Sequence, residues 1–168
     1  MPSLVLTVIG DDRAGLVAAL SEVIAAHSGN WERSQMAELA GKFAGIVVVS
    51  VPADRSDALA AAVRELDGLL EVSAHAGSEA GADRGEELRI DLLGNDRPGI
   101  VHEISSVLAR HGLSIDTIDT LTREAPMAGG QLFEAHVVAR VPAGSDLVGV
   151  RADLERLAGE LLVDLEVG

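Results

Sequence analysis

The chain has 168 residues, no cysteine and a formal net charge of −14. Because 48% of the residues are hydrophobic, a disordered chain is excluded, and the acidic charge opposes direct contact with nucleic acid or an anionic membrane. Without cysteine there is no disulfide framework, no thiol catalysis and no thiolate metal site.

The N-terminal segment has no basic region ahead of its first apolar run, and that run is only as long as a strand. Neither a signal peptide nor a membrane span is therefore expected, and the predicted location is the cytoplasm. The run itself, residues 4–9, is typical of a strand with alternate residues from Leu4 onwards facing the core. Val5 and Ile9 make the other face apolar too, which predicts a contact on that face.

A glycine-bracketed acidic loop, Gly10-Asp11-Asp12-Arg13-Ala14-Gly15, follows the strand and leads into a helical apolar pattern. Asp11 or Asp12 is predicted to cap this helix, as Asn95 or Asp96 caps its equivalent in the second half, because short polar side chains accept hydrogen bonds from first-turn amides. Gly15 is predicted to lie just inside the helix, where glycine costs up to about 1 kcal/mol against alanine. A glycine at a costly position indicates close approach of backbone or ligand. The helix is predicted to end near His27, which caps its negative end.

The rest of the first half predicts two strands, an amphipathic helix and a closing strand, over 30–37, 43–51, 54–66 and 69–74. Imperfect alternation in the first of these strands, and in the equivalent segment 114–122 of the second half, predicts a bulge in both. The order of elements is βαββαβ. A segment rich in glycine, serine and acidic residues follows and predicts a linker of moderate reach over 78–86.

The second half repeats the first. A shift of 84 residues places the buried stripe of the first helix on that of the third: Leu16, Leu20 and Ile24 on Ile100, Ile104 and Leu108. Such a match indicates an internal duplication. Six extra residues then fall within 123–131, in a longer hairpin loop that contacts a partner, covers a pocket or is an idle insertion. After the loop the match resumes, with Phe133 answering to Phe43.

The remaining predicted elements of the second half are strands over 88–92, 114–122, 133–141 and 161–167, a helix from Pro98 to near His111, and a helix over 146–157. The predicted fold class is α+β, with two tandem ferredoxin-like βαββαβ units, each a four-stranded antiparallel sheet with two helices on one face. The predicted domains are 1–77 and 87–168.

The loop before the first helix of each unit is the best candidate for a binding site. A helix N-terminus presents unpaired amides and the positive end of a dipole, and adjacent glycines let a small carboxylate approach. An acidic side chain beside these amides would take an ammonium group, so the pocket matches a free α-amino acid. Asn30-Trp31 and Ser114-Ile115 are expected at the same end of the sheet and would complete it. The alternative is that Asp12 and Asp96 only cap their helices.

No catalytic constellation emerges from the sequence, so an enzyme is not expected and no cofactor is implied. Ser105 and Ser106 are predicted in mid-helix without a glycine elbow, and His102 lacks the second histidine of a zinc-binding helix. A nucleic-acid-binding version of the fold carries stacking aromatics on its middle strands, whereas Phe43 and Phe133 are predicted to face inward.

The motif Gly-Asn-Asp-Arg-Pro-Gly-Ile-Val at 94–101, in a βαββαβ unit, resembles the ACT-domain pattern. Two such units, with Gly-Asn-Trp at 29–31 and Phe-Ala-Gly-Ile at 43–46, resemble the glycine cleavage system transcriptional repressor family over nearly the full length. Formyltetrahydrofolate deformylases and some phosphoserine phosphatases begin with similar units but continue into a catalytic domain. The resemblance implies a non-enzymatic, homo-oligomeric regulator that binds a small amino acid, such as glycine, and acts through a protein partner, such as a transcriptional regulator.

By position, the resemblance implies ligand-binding residues in both loops and at the start of both second strands: Asp12, Arg13, Ala14, Gly15, Leu16, Val17 and Asn30, then Asn95, Asp96, Arg97, Pro98, Gly99, Ile100, Val101 and Ser114. Ala14 stands where the family usually has proline. The first loop is therefore expected to be less fixed, and to bind ligand less well, than the second.

A second hypothesis is a ligand-free assembly module. Its sheets would pair edge to edge, and the apolar outer face formed by Val5, Ile9, Ile46 and Val48 would make a contact.

Overall fold

The computed structural model describes residues 2–78, 85–127, 129–161 and 164–168. The chain divides into two compact units, Met1–Glu79 and Ala80–Gly168. Most of the predicted linker lies outside the described residues.

The first unit has the predicted βαββαβ order. Its elements are β1 (Ser3–Asp11), α1 (Leu16–Ala26), β2 (Asn30–Leu39), β3 (Lys42–Ser50), α2 (Ser56–Arg64) and β4 (Glu71–Ala76). The strands form one sheet in the order β2-β3-β1-β4, with every neighbouring pair antiparallel. A short 3₁₀ turn, Ala53–Arg55, precedes α2.

The second unit repeats this arrangement. Its elements are β5 (Glu86–Asn95), α3 (Ile100–Arg110), β6 (Ser114–Glu124), β7 (Gln131–Val141), α4 (Leu147–Leu161) and β8 (Asp164–Val167). The sheet order is β6-β7-β5-β8, again antiparallel throughout. The α+β, ferredoxin-like prediction is confirmed for both units.

The core of each unit lies between its sheet and its two helices, as the apolar periods predict. Alternate residues of the central strands are buried, among them Leu6 in β1 and Ile90 in β5, at 0% and 1% exposure. The helices contribute residues spaced by about one turn, such as Leu20 in α1 and Ile104 in α3. Burial of these side chains is the main stabilising contribution to each unit.

The predicted bulge is present in both second strands. The register shifts between Trp31 and Arg33 in β2, and between Ile115 and Thr117 in β6. Trp31 is half-buried and packs against the core of the first unit, which accounts for its apolar ring without a ligand.

Two predicted closing strands have different bounds in the structure. Helix α4 continues to Leu161, where the sequence suggested the start of a strand, because Leu154, Ala158 and Leu161 extend its buried stripe at helical spacing. The strand β8 begins only at Asp164. In the first unit, β4 begins at Glu71 rather than at residue 69.

In the part of the chain that the structure describes, the helices are too short or too polar to cross a membrane.

Candidate functional site

The candidate loops both end on a glycine in the left-handed region. Gly15 has φ 93° and is the N-cap residue of α1, and Gly99 has φ 92° and is the N-cap residue of α3. The prediction that these glycines lie just inside the helices is wrong, and their positive φ explains the residue type, since side chains disfavour it. A Cβ atom built at either glycine would have no neighbour within 4 Å, so no close approach within the chain requires them.

The acidic residues of the loops do not cap the helices. Neither α1 nor α3 has a side-chain hydrogen bond at its N-cap, which contradicts the predicted capping by Asp11 or Asp12 and by Asn95 or Asp96. Pro98 also lies before the first helical turn rather than within it. The N-cap position falls on Gly15 or Gly99, three residues past Asp12 or Asp96, so these carboxylates are displaced from it.

Among the described residues, no side chain therefore caps the first-turn amides at either helix N-terminus. The helical pattern begins with the Ala19 amide donating to the Gly15 carbonyl at 2.9 Å, and with Glu103 donating to Gly99 at 3.0 Å. The amides that precede these two have no acceptor one turn back within the helix. They carry the positive end of the helix dipole and suit a small anion.

Each loop is fixed to the adjacent hairpin of its own unit by a backbone hydrogen bond. The Asp12 amide donates to the Gly41 carbonyl, and the Asp96 amide donates to Gln131, both at 2.9 Å. The loops are thus held on both sides, by the end of the preceding strand and by the hairpin. Sequence reasoning missed these hairpin residues, although the Ala-Gly turn at 40–41 is a usable signal for the first.

Some candidate residues have side chains buried in the cores, and the others have exposed side chains. Leu16 and Ile100 are 3% and 2% exposed and belong to the two cores, so they position the loops. Val17 and Val101, one residue later, are 45% and 42% exposed and lie beside the open amides. The residues from Asp12 to Gly15 and from Asn95 to Gly99 are exposed.

Asn30 and Ser114 do not lie near these loops within their own units. Asn30 pairs with Ser50, which pairs with Ser3 at the start of β1, whereas the loop follows Asp11 at the end of β1. The two ends of a nine-residue strand are about 25–30 Å apart. Ser114 is separated from the second loop in the same way, since it lies level with the start of β5. The prediction of one pocket per unit that includes them is wrong, because β2 runs parallel to β1 and starts at the far end of the sheet.

The charges around the first loop are balanced. Lys42, at the start of β3, forms an ion pair with Asp11. The hydrogen bond from Lys42, together with its positive charge, holds the pKa of the Asp11 carboxyl below its usual value. Arg13 has no ion pair among the described residues, and the first turn of α1 contains no acidic residue. An incoming carboxylate therefore meets no acidic side chain in that helical turn.

The second loop carries an internal ion pair that the first lacks. The Nη2 atom of Arg97 lies 2.5 Å from Oε2 of Glu103, and Glu103 is in the first turn of α3. The equivalent position in the first unit is Ala19, which cannot neutralise Arg13. Glu103 thus neutralises the Arg97 guanidinium and places a negative charge near the helix N-terminus. Sequence reasoning did not single out Glu103, although its place in the first helical turn is visible from the motif.

The histidines that end α1 and α3 have different partners. The ring Nδ1 of His27 lies 2.8 Å from the Val23 carbonyl, consistent with the predicted capping. His111 is the C-cap residue of α3, but its Nε2 lies 2.6 Å from Oδ2 of Asp153 in α4. The hydrogen bond with His111 holds the pKa of Asp153 below its usual value.

In the part of the chain that the structure describes, no group of three or more His, Asp or Glu residues could hold a metal ion. The loops therefore offer a ligand backbone amides and single side chains.

The two halves of the chain each match a model of the ACT domain, over residues 3–76 and 88–159. A comparison with curated proteins finds no match.

Among solved structures, an unknown protein from Galdieria sulphuraria is 32% identical with a TM-score of 0.89, and the alignment covers 99% of this chain and 96% of that one. A candidate glycine cleavage system transcriptional repressor is 16% identical with a TM-score of 0.69, over 99% of this chain and 96% of that one, which shows a shared fold. The tandem βαββαβ units, their glycine-capped helices and the family matches lead to one conclusion: this chain belongs to the ACT-domain family, with two ACT domains in tandem.

Proposed function

We propose that this chain is a non-enzymatic regulatory protein that binds a small free amino acid, glycine or one of similar size, and acts through contact with another protein. The observation that carries the proposal is the pair of helix N-termini whose first-turn amides have no side-chain cap. In an ACT domain such a corner is suited to the α-carboxylate of an amino acid. The similarity of fold to a candidate glycine cleavage system transcriptional repressor supports glycine as the first ligand to test.

The proposed ligand contacts follow from the atoms available at the loops. The α-carboxylate would accept hydrogen bonds from the amides after Gly15 or Gly99, and the ammonium group would lie beside the carboxylate of Asp12 or Asp96. Val17 or Val101 borders the site with an apolar surface and would limit the size of the ligand side chain. Since Asn30 and Ser114 lie at the other end of each sheet, the proposal rests on the loops alone.

The first loop is proposed as the tighter site. Arg13 and the acid-free first turn of α1 favour a carboxylate, whereas Glu103 opposes it at the second loop. The sequence had predicted the opposite order of affinity, because Ala14 stands in the first loop where the family usually has proline. A ligand alters the protein's contacts only if it binds two arrangements of the chain with different affinity.

Isothermal titration calorimetry with the twenty common amino acids tests the proposal. We expect saturable heat for glycine or a similar small amino acid, and weaker heat or none for large ones. No heat from any of them at millimolar concentration would contradict amino-acid binding.

Val17→Glu provides a sharper test of the first loop. A carboxylate at this exposed position suits the helix dipole, so the fold should be retained, but it competes with a ligand carboxylate for the same amides. We expect affinity to fall by about tenfold, which corresponds to about 1.4 kcal/mol. Val17→Gln, of equal size and without charge, is the matched control and should change affinity much less. Equal affinities for the two variants would place the ligand elsewhere.

The assembly-module hypothesis remains as a second candidate, because the outer face of the first sheet is apolar and exposed, with Ile9 at 46% and Ile46 at 52%.

A further inference from the structure

The outer face of the first sheet, on the side away from α1 and α2, is apolar along its two central strands. Val5 pairs directly with Val48, Thr7 with Ile46, and Ile9 with Ala44. We call these six residues the first outer face. Ile9 and Ile46 are both about half exposed on this face, and exposed apolar patches mark contact surfaces.

The first outer face is also uneven. An open depression of about 740 Å³ adjoins it, lined partly by Ile9, Ile46 and Ser73 and bordered by Arg64 and Asp67. Small side chains such as Ala44 leave this space beside the isoleucines, so the surface has both projections and a recess. A facing surface of the same shape could place its own projections in that recess.

Four of the six equivalent positions in the second unit carry charged or ionisable side chains with ion-pair partners, and only Leu93 and Val138 are apolar. Arg89 and Asp91 stand in place of Val5 and Thr7, and His136 stands in place of Ile46. The Nδ1 atom of His136 lies 2.6 Å from Asp91, and Arg140 binds Asp116 at 2.5 Å. These hydrogen-bonded charges would have to be desolvated in a protein contact, which is costly, so the second sheet presents a surface suited to water.

The charges around the first outer face favour a second copy of this chain as its partner. The charged side chains around it balance: Arg33 and Arg64 against Asp67 and Glu71, with Lys42 already paired to Asp11. The net charge of −14 is therefore carried elsewhere, and a strongly basic partner would find no excess of acid here. A second copy of the same face brings both signs of charge and avoids net repulsion.

The area is sufficient for a stable pair. The whole outer side of the sheet, with strands of nine, ten, nine and six residues at about 3.3 Å per residue and a spacing of about 4.8 Å, covers roughly 540 Å². Two such sides in contact bury roughly 1,080 Å² in total, close to the approximate 1,000 Å² that a specific interface needs.

We propose that two copies of this chain associate by packing the outer faces of their first sheets together, as a two-layer β-sandwich with two-fold symmetry. Antiparallel sheets pack in this way with their strands inclined by about 30°, and a two-fold axis lets one patch meet itself. This surface would provide the protein contact of the proposed function. The dimer depends on the proposed function in no other way. Amino-acid binding is measured separately, so either can fail alone.

Sedimentation of the full chain over micromolar to millimolar concentration tests the proposal. We expect a concentration-dependent rise from the 17.4 kDa single chain to twice that mass. Ile46→Lys places a charge at the centre of the contact and should weaken association by about tenfold or more. His136→Lys, the same side chain at the equivalent position of the second unit, is the matched control and should leave association unchanged.

Ile9→Thr, which keeps the β propensity of the strand, should weaken association to a lesser degree and guards against misfolding of Ile46→Lys. A single-chain mass at all concentrations would overturn the proposal and leave the face to a different partner. So would equal association of the wild type and both first-face variants, or loss of association in His136→Lys alone. If glycine titrates normally into a monomeric Ile46→Lys, the contact and the ligand site are independent.

Discussion

The two ACT domains of this chain have separate cores of matching composition and differ on their surfaces. The inner sides of both sheets bury aliphatic residues at matching positions, and α1 and α3 both have an N-cap glycine with φ near 90°. The outer sides differ: Ile46 and Val48 in the first unit correspond to His136 and Val138, beside paired charges, in the second. The loops differ in their ion pairs, which are Asp11 with Lys42 at the first and Arg97 with Glu103 at the second. Packing constrains the inner positions of the fold, whereas the outer positions and loops are open to separate roles.

Substitutions in the two cores should have the largest effects on the free energy of unfolding. Leu6→Ala and Ile90→Ala each remove a large aliphatic side chain that is at most 1% exposed. Each should lower the free energy of unfolding by about 2–5 kcal/mol, through lost burial and the cavity left behind. Urea denaturation followed by circular dichroism measures this. Val5→Ala, on the first outer face, is the control and should cost much less; a cost as large as that of Leu6→Ala would show that the outer face is covered.

The next effect separates the two candidate sites. Glu103→Gln removes the carboxylate that neutralises Arg97, and should raise the affinity of the second loop several-fold because the helix N-terminus and the guanidinium then both favour an anion. Ala19→Glu installs the same carboxylate in the first unit and should lower the affinity of the first loop by a similar factor. Calorimetric titration of both variants gives the two changes. If neither variant alters affinity, the ion pair has no influence on the ligand.

The fold was largely predictable from the sequence because period-two and helical apolar patterns are local and appear twice. The bounds of α4 were not, since the apolar run at 161–163 suits a strand as well as a helix. The site was predicted only as a pair of loops. The helix starts beside these loops were misplaced because a glycine with positive φ can replace a side-chain cap. Asn30 was misplaced because its distance from the loop depends on the end of the sheet at which β2 begins.

A smaller effect concerns the hairpins, which also differ between the units. The first hairpin has a two-residue turn in which Ala40 has φ 52° and Gly41 has φ 83°. Such a turn favours Asn-Gly, because alanine is strained at positive φ. Ala40→Asn should raise the free energy of unfolding by about 0.5–1 kcal/mol in urea denaturation. Ala37→Asn, elsewhere in β2, is the control and should not stabilise; no gain from Ala40→Asn would argue against this turn.

The smallest expected effect is a pH dependence confined to the second unit. The hydrogen bond with Asp91 raises the pKa of His136 above its ordinary value of 6.5. Since the folded pKa is the higher one, the stabilisation is fully present below about pH 6.5 and is lost as the pH rises through the folded pKa. Unfolding measured from pH 5.5 to 8.5 should show this loss, and His136→Gln should reduce it. An unchanged profile in His136→Gln would assign the dependence to other groups.

The most direct test of the central claim, that the open helix N-termini hold a small amino acid, is a glycine titration followed by backbone amide NMR. We expect saturable shifts first at Gly15 to Ala18, then at higher glycine concentration at Gly99 to His102, with little change at Asn30 and Ser114. Absence of shifts at both helix N-termini while other amides respond, or no response at millimolar glycine and related small amino acids, would contradict it.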